Sequence, residues 1–302
     1  MTDVARLIAY RKRQDWLFSA AGLACTAIGI ATLVALLATL AYEGLPHLSW
    51  KFLTSNASAI PEKAGILTAL AGTLYVMAVT FLVAVPLGVA AAIYLEEYAG
   101  KSWFTNLIEI NISNLAGVPS IIYGLMALSL FGYLLGLHKI VFVGGMTLAL
   151  LVLPIIIVAT REALRTIPSS IREAAYAAGA TKWQTIWYHL LPYSLGGIAT
   201  GTIIAMSRAI GETAPLLVIG AAGYITKLPP PPVSASPPFV SFAWLNSSFT
   251  VLPMQMYNWT ADADPELQSR AATTGLVLIV LTLSINAAAI ALRYRVRKKL
   301  KW

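Results

Sequence analysis

The chain has 302 residues, of which 58% are hydrophobic and only 11% charged, with a mean hydropathy of +0.74. A soluble domain carries roughly 25% charged residues, so this composition excludes an ordinary soluble enzyme and describes an all-α polytopic membrane protein. The formal net charge of +8 gathers at the two ends and in inner loops, which argues for membrane orientation and against nucleic acid.

Residues 1–15 form a basic N-terminus with Arg6, Arg11, Lys12 and Arg13. A charge-free run from Trp16 to Tyr42 follows. A signal-peptide core is only about 7–15 residues long, so the run predicts an uncleaved transmembrane helix. The single cysteine, Cys25, lies inside it. No intrachain disulfide can form, and Cys25 reads as a small buried residue. Further charge-free windows of spanning length occupy 64–95, 110–137, 140–160 and 271–292. A sixth, about 195–222, is apolar but interrupted by Arg208 and Glu212.

Charge placement retains that sixth window. The tail RYRVRKKLKW (293–302) is strongly basic, as is the N-terminus. Positive residues favour the cytoplasmic side, so both ends inside requires an even number of spans. With six transmembrane helices and both termini cytoplasmic, the inner segments hold 15 Lys and Arg and the outer loops five. One membrane domain then runs over 16–292. Its main cytoplasmic loop is about 161–194 and its long outer loop about 223–270.

Pro86, Pro119, Pro154 and Pro215 fall inside the spans, as does GVPSIIYG at 117–124. Small residues there allow close helix packing. Alternatively, a helix breaks where it lines a pathway.

The inner loop contains REAAYAAGATKWQTIWYHLLP at 172–192. Ser170 to Glu173 fits a capping box that starts one short helix, and Thr181 to Gln184 fits a second. Gly179 forms an elbow between them, and Pro192 stops the second helix. Ala174, Ala175 and Ala178 make one small-residue patch. Trp183, Ile186, Trp187 and Leu190 make an apolar stripe. On composition alone this is an amphipathic element lying on the membrane.

SRAIGETAPL at 207–216 places Arg208 near the middle of the fifth span. A charge at the bilayer centre costs roughly 2.5–3.5 kcal/mol on insertion scales. Glu212 shares its helix face and can pair with it. Pro215 removes a helical hydrogen bond beside them. One reading is an ion pair that holds helices together. The other has Arg208 meeting an anion, because its planar fork suits tetrahedral oxyanions. Glu212 then orients Arg208, and Ser207 and Thr213 add hydroxyl donors.

In the outer loop, LPPPPVSASPP at 228–238 predicts a polyproline-like or disordered stretch. Met254, Met256, Tyr257 and Trp259 suggest an interfacial aromatic belt or a docking surface for an external partner. Gly100-Lys101-Ser102 lacks the earlier glycine of a P-loop, having Leu95 there, so no ATP site is expected on the chain. His47, His138 and His189 are scattered, so no metal site and no catalytic residue is expected.

Glu173-Ala174-Ala175, three residues, Gly179, then about ten residues to Leu191-Pro192 resembles the EAA loop of ABC-importer permeases. His189 departs from it, standing where the family has an aliphatic residue. Together with RAIGETAPL, GVPSIIYG and MQMYNW, the chain is similar over roughly 65–295 to the PstA permease family of bacterial phosphate ABC importers. Order and length match that family over the paired PstC permeases.

The resemblance implies a type I ABC-importer permease fold in the bacterial cytoplasmic membrane, moving inorganic phosphate by alternating access. It implies that Glu173, Ala174, Ala175 and Gly179 couple to an ATPase. Arg208, Glu212, Ser207 and Thr213 would line the substrate pathway. The implied partners are a PstC-like second permease, two PstB-like ATPases holding ATP and Mg, and an external PstS-like phosphate-binding protein. An importer for another oxyanion, such as molybdate or sulfate, uses the same arginine chemistry. A membrane-embedded enzyme acting on a phosphorylated lipid needs a nucleophile or base that the sequence does not supply.

Overall fold

The computed structural model describes residues 2–100, 102–221, 224–233 and 239–299. Among them the regular structure is helical, with two isolated antiparallel bridges, Ile140–Ser248 and Val233–Val240. In chain order the helices begin with α1 (Thr2–Gly44), α2 (Trp50–Thr54) and α3 (Leu67–Ile93), which a π-helical turn at Tyr94–Tyr98 prolongs. Then come α4 (Trp103–Leu115), α5 (Ser120–Ala127) with a π turn at Leu128–Leu134, and α6 (Val141–Arg165). α7 (Ser169–Ala177) leads to α8 (Lys182–Thr185), which passes through a π turn at Ile186–Leu190 into α9 (Leu191–Ile210). α10 (Ala214–Val218), α11 (Leu252–Thr260) and α12 (Pro265–Lys299) complete the chain.

Among the described residues, five helical stretches are long and apolar enough to cross a membrane: 10–47, 67–98, 141–165, 182–210 and 265–295. The expected straight span at 110–137 is instead a bent pair. α4 and the α5 stretch meet at 108°, and counted as one span they make six. The cause is local. Pro119 has no N–H to continue a helix, and it disfavours helical backbone at Val118 before it. The Tyr123 hydroxyl donates to the Leu115 carbonyl at 2.7 Å, which satisfies a group left open at the end of α4. The prolines sort cleanly: Pro86 and Pro154 lie inside unbroken helices, whereas Pro119 and Pro215 lie at breaks.

α3 packs along α6 and α6 along α9. Their shared core holds Val76, Val79, Leu148, Val152, Ile156 and Ala205. A second core holds Phe52, Ile66, Leu252, Trp259 and Leu267. α1 stands apart. The spanning window within it has 0% of its residues buried in the chain. It meets α12 near its end, where the Thr273 hydroxyl donates to the Gly44 carbonyl at 3.0 Å. Cys25, expected to be buried, is exposed on this helix.

The long loop at about 223–270 enters the bundle. The Leu252 N–H donates to Thr73 Oγ1 at 2.9 Å, and the Val141 N–H to the Ser247 carbonyl at 3.0 Å. Trp259 is 0% exposed and tilted against Phe52 at 6.2 Å between ring centroids, and Met254 is also buried. Neither belt nor docking surface describes these two; they are core, and only Tyr257 of the group is well exposed. Of the expected polyproline stretch, residues 234–238 lie outside the described residues, and 228–233 form no helix.

Candidate functional site

The window at 195–222 is not one helix. α9 ends at Ile210, Gly211 caps it, and α10 restarts at Ala214 with Pro215 in its first turn. Arg208 therefore lies in the last turn of α9, not in the interior of one continuous helix. A cation there meets the negative end of the helix dipole, a gain of about 0.3–1 kcal/mol that lowers the cost of placing it. Arg208 Nε donates to Glu212 Oε1 at 3.4 Å, with the two side chains 41% and 18% exposed. Among the described residues this is the one ion pair of Arg208, and the guanidinium is half-open. Glu212 lines a small cleft with Thr73, Leu148, Ala209 and Leu216.

The other two pathway candidates separate from Arg208. Ser207 Oγ lies 2.7 Å from both the Ile203 carbonyl and Asn286 Oδ1, so it ties α9 to α12. Thr213 precedes α10, is half-buried, and makes no side-chain cap. What the sequence does bring together is the two helix breaks. A Cβ on Gly124 would sit 2.8 Å from both Cα and O of Pro215, so only glycine lets α5 approach α10 this closely.

The inner loop is built as two helices about an elbow. α7 begins at Ser169 behind Pro168, and no side chain caps it. The expected Ser170–Glu173 capping box does not form, because Ser170 is already inside the first turn. Gly179 has φ +85°, with Ala180 N–H on the Ala175 carbonyl (3.0 Å) and Gly179 N–H on Tyr176 (2.9 Å). This is a Schellman ending, which wants glycine at that position. The second capping box is present, with both Thr181–Gln184 bonds formed.

Pro192 does not stop the second helix. The π turn before it moves the Leu191 N–H onto the Ile186 carbonyl five residues back, and the chain runs on as α9. The expected faces also divide. Ile186 and Leu190 are buried with Leu164 and Ile167. Trp183 and Trp187 point outward, stacked at 5.7 Å. Ala175 packs inward, while Glu173, Ala174, Ala178 and Gly179 are exposed. Among the described residues Glu173 forms no ion pair.

Sequence reasoning missed the neighbour that does. Arg172 donates to Glu97 Oε1 through Nη2 (2.7 Å) and Nε (3.1 Å), and to the carbonyls of Ile167 (2.9 Å) and Leu164 (3.2 Å). Arg165 bonds Glu96 at 3.0 Å, and Arg161 lies 3.4 Å from it. Glu96 and Glu97, two carboxylates closing an apolar span, were the available signal. Their partners lie 65 to 75 residues away. Among the described residues no group of three or more His, Cys, Asp or Glu could hold a metal.

The profile described as "Binding-protein-dependent transport system inner membrane component" matches residues 84–302. The chain is 35% identical over 193 residues to a probable ABC transporter permease protein, YqgI, of Bacillus subtilis, covering 64% of this chain and 66% of that one. It is 40% identical over 167 residues to the phosphate transport system permease protein PstA 1 of Mycobacterium tuberculosis, covering 55% of each. A phosphate transport system permease protein PstA of Haemophilus influenzae is 34% identical over 241 residues, 80% of this chain and 85% of that one. The chain thus spans two-thirds or less of the first two relatives' length and most of the third. Among solved structures, a bacterial alginate ABC transporter matches with TM-score 0.66 at 14% identity over 94% of this chain and 96% of that one. The MetNI methionine ABC transporter matches with TM-score 0.55 at 19% identity over 77% and 94%. Those two likenesses are of fold.

Proposed function

The chain belongs to the binding-protein-dependent transport system inner membrane component family, and on that premise we propose that it is the permease subunit of an ATP-driven importer of inorganic phosphate. The observation that carries the reading is the half-open guanidinium of Arg208 at a helix break, balanced by one carboxylate. Facing lipid, that charge would cost up to roughly 2.5–3.5 kcal/mol, the insertion-scale value for a helix centre. It is therefore best placed towards an aqueous path or the second permease. A phosphate there takes paired hydrogen bonds from the guanidinium. Glu212 compensates Arg208 while the site is empty and yields when the anion arrives. The names of the PstA relatives support phosphate as the cargo.

The exposed elbow of the inner loop supplies the coupling. Glu173, Ala174, Ala178 and the stacked Trp183–Trp187 pair face outward for a PstB-like ATPase, which holds ATP and Mg. Gly179 sets the angle, and buried Ala175 anchors the first helix to its own chain. The full assembly adds a PstC-like permease, a second PstB-like ATPase and a PstS-like binding protein outside. Charge placement supports both termini on the cytoplasmic side of a bacterial inner membrane. Alternating access then follows from rocking of the helical bundles.

The test is labelled phosphate uptake into vesicles holding this chain and its neighbouring subunits, with and without ATP, and with sulfate and molybdate as competitors. ATP-dependent phosphate uptake that is lost in Arg208→Gln is expected. Preferential uptake of another oxyanion overturns the substrate. No ATP-dependent uptake of any anion by an intact complex overturns the importer reading.

A further inference from the structure

Three consecutive residues at the inner end of α3 reach three separate parts of the inner loop. Glu96 pairs with Arg161 and Arg165 at the end of α6. Glu97 pairs with Arg172 in α7. The Tyr98 ring carries the Lys182 ammonium of α8 at 4.9 Å from its centroid. The loop's obvious mechanical outlet is α9, because α8 runs into it without a break. Nothing in the chain's covalent order ties the loop to α3.

We infer that the Glu96–Glu97–Tyr98 turn is a second output of the loop, locking it to α3 so that docking strokes move α3 and α9 together. The inference rests on the importer reading and names a transmission residue within it. Its strongest element is the Arg172–Glu97 clamp. The Glu97 side chain is 6% exposed and that of Arg172 20%, so the pair works largely out of water. Removing one partner of such a pair leaves an uncompensated buried charge, which makes the link stiff. Arg172 also donates to the Leu164 carbonyl in the last turn of α6 and to the Ile167 carbonyl just after it. Rotating α7 away from the bundle therefore breaks four hydrogen bonds at once.

The far end of α3 gives the lock somewhere to deliver motion. α3 has 27 residues, about 40 Å at 1.5 Å per residue. Near its outer end Thr73 accepts the Leu252 N–H from the outer loop. A displacement at the inner loop thus reaches, along one helix, the segment that enters the bundle from outside. The Tyr94–Tyr98 turn itself is π-helical, with the Ala99 N–H on the Tyr94 carbonyl at 2.8 Å. The clamp therefore grips the irregular last turn while the regular helix above it moves as a rod.

The experiment measures ATP hydrolysed and phosphate taken up by the complete complex in vesicles, for wild type, Glu97→Gln, Arg172→Lys and the exchange Glu97→Arg/Arg172→Glu. Glu97→Gln should keep ATP hydrolysis yet lower uptake per ATP by at least about tenfold, because losing one charge of a nearly buried pair is strongly destabilising. Arg172→Lys keeps the charge without the fork and should fall between. The exchanged pair should recover uptake per ATP above Glu97→Gln. If Glu97→Gln only lowers complex yield, and the exchange restores yield without moving uptake per ATP, the pair is structural and the inference falls. Glu97→Gln at wild-type uptake per ATP overturns it alone. A wild-type complex with no ATP-dependent uptake overturns the importer reading, and this one with it.

Discussion

Replacing Gly179 with alanine isolates the shape of the elbow from the chemistry of the residues around it. No heavy atom lies within 4 Å of where the new Cβ would sit, so the methyl group meets no neighbour. The whole penalty is the backbone at φ +85°. A left-handed residue with a Cβ costs roughly 1–2 kcal/mol over glycine. That is about a 5- to 30-fold loss of loops holding α7 and α8 at their native angle. Asparagine tolerates this conformation better and should cost several-fold less. Uptake per ATP in vesicles should fall in the order glycine, asparagine, alanine, while copurified ATPase shows that the complex still assembles. Alanine equal to glycine would refute the argument. So would asparagine as damaging as alanine, because size and not conformation would then be at work.

Arg208→Gln, tested in the same vesicles, should cut uptake roughly 10- to 150-fold, the value of a charged hydrogen bond of about 1.5–3 kcal/mol; Arg208→Lys should lose less. Unchanged uptake per complex with lower yield would make the Arg208–Glu212 pair structural. Trp259→Ala empties a fully buried site and should destabilise the fold by about 3–5 kcal/mol, seen as a lower melting temperature of the purified complex. The exposed Tyr257→Ala beside it should stay within about 0.5 kcal/mol. Thr181→Ala removes the one formed capping box and should cost about 1 kcal/mol. It should show in uptake per ATP and leave melting of the bundle unchanged.

Most of the span pattern was legible because length and absence of charge are one-dimensional properties. Direction is not. The 110–137 window holds its charge-free length while turning through 108° at Pro119, and a hydropathy window has no angle in it. Pro192 misled in the opposite sense: a proline stops an α-helix, but a π turn absorbed it. The inner elbow was readable from Gly179 and the Thr181–Gln184 box, since both are local chemistry. Its faces were not, because helical spacing predicts one stripe, and the π turn sets Ile186 and Leu190 inward while Trp183 and Trp187 stay out. Arg208 and Glu212 were found by their cost. Their place on the helix was not legible, because α9 ends at Ile210, a boundary written by Gly211 and Pro215 together. The clamp on Glu97 was invisible because its partner lies 75 residues along the chain.

α1 contributes little to holding the remaining helices together. Lipid tails are as apolar as its own side chains, so nothing in the hydrophobic effect draws it back onto the bundle. The cores around Leu148 and Trp259 are built without any α1 side chain, so they close whether or not α1 lies beside them. The chain thus divides into a lipid-facing anchor and a self-sufficient bundle, stitched together where Thr273 meets Gly44.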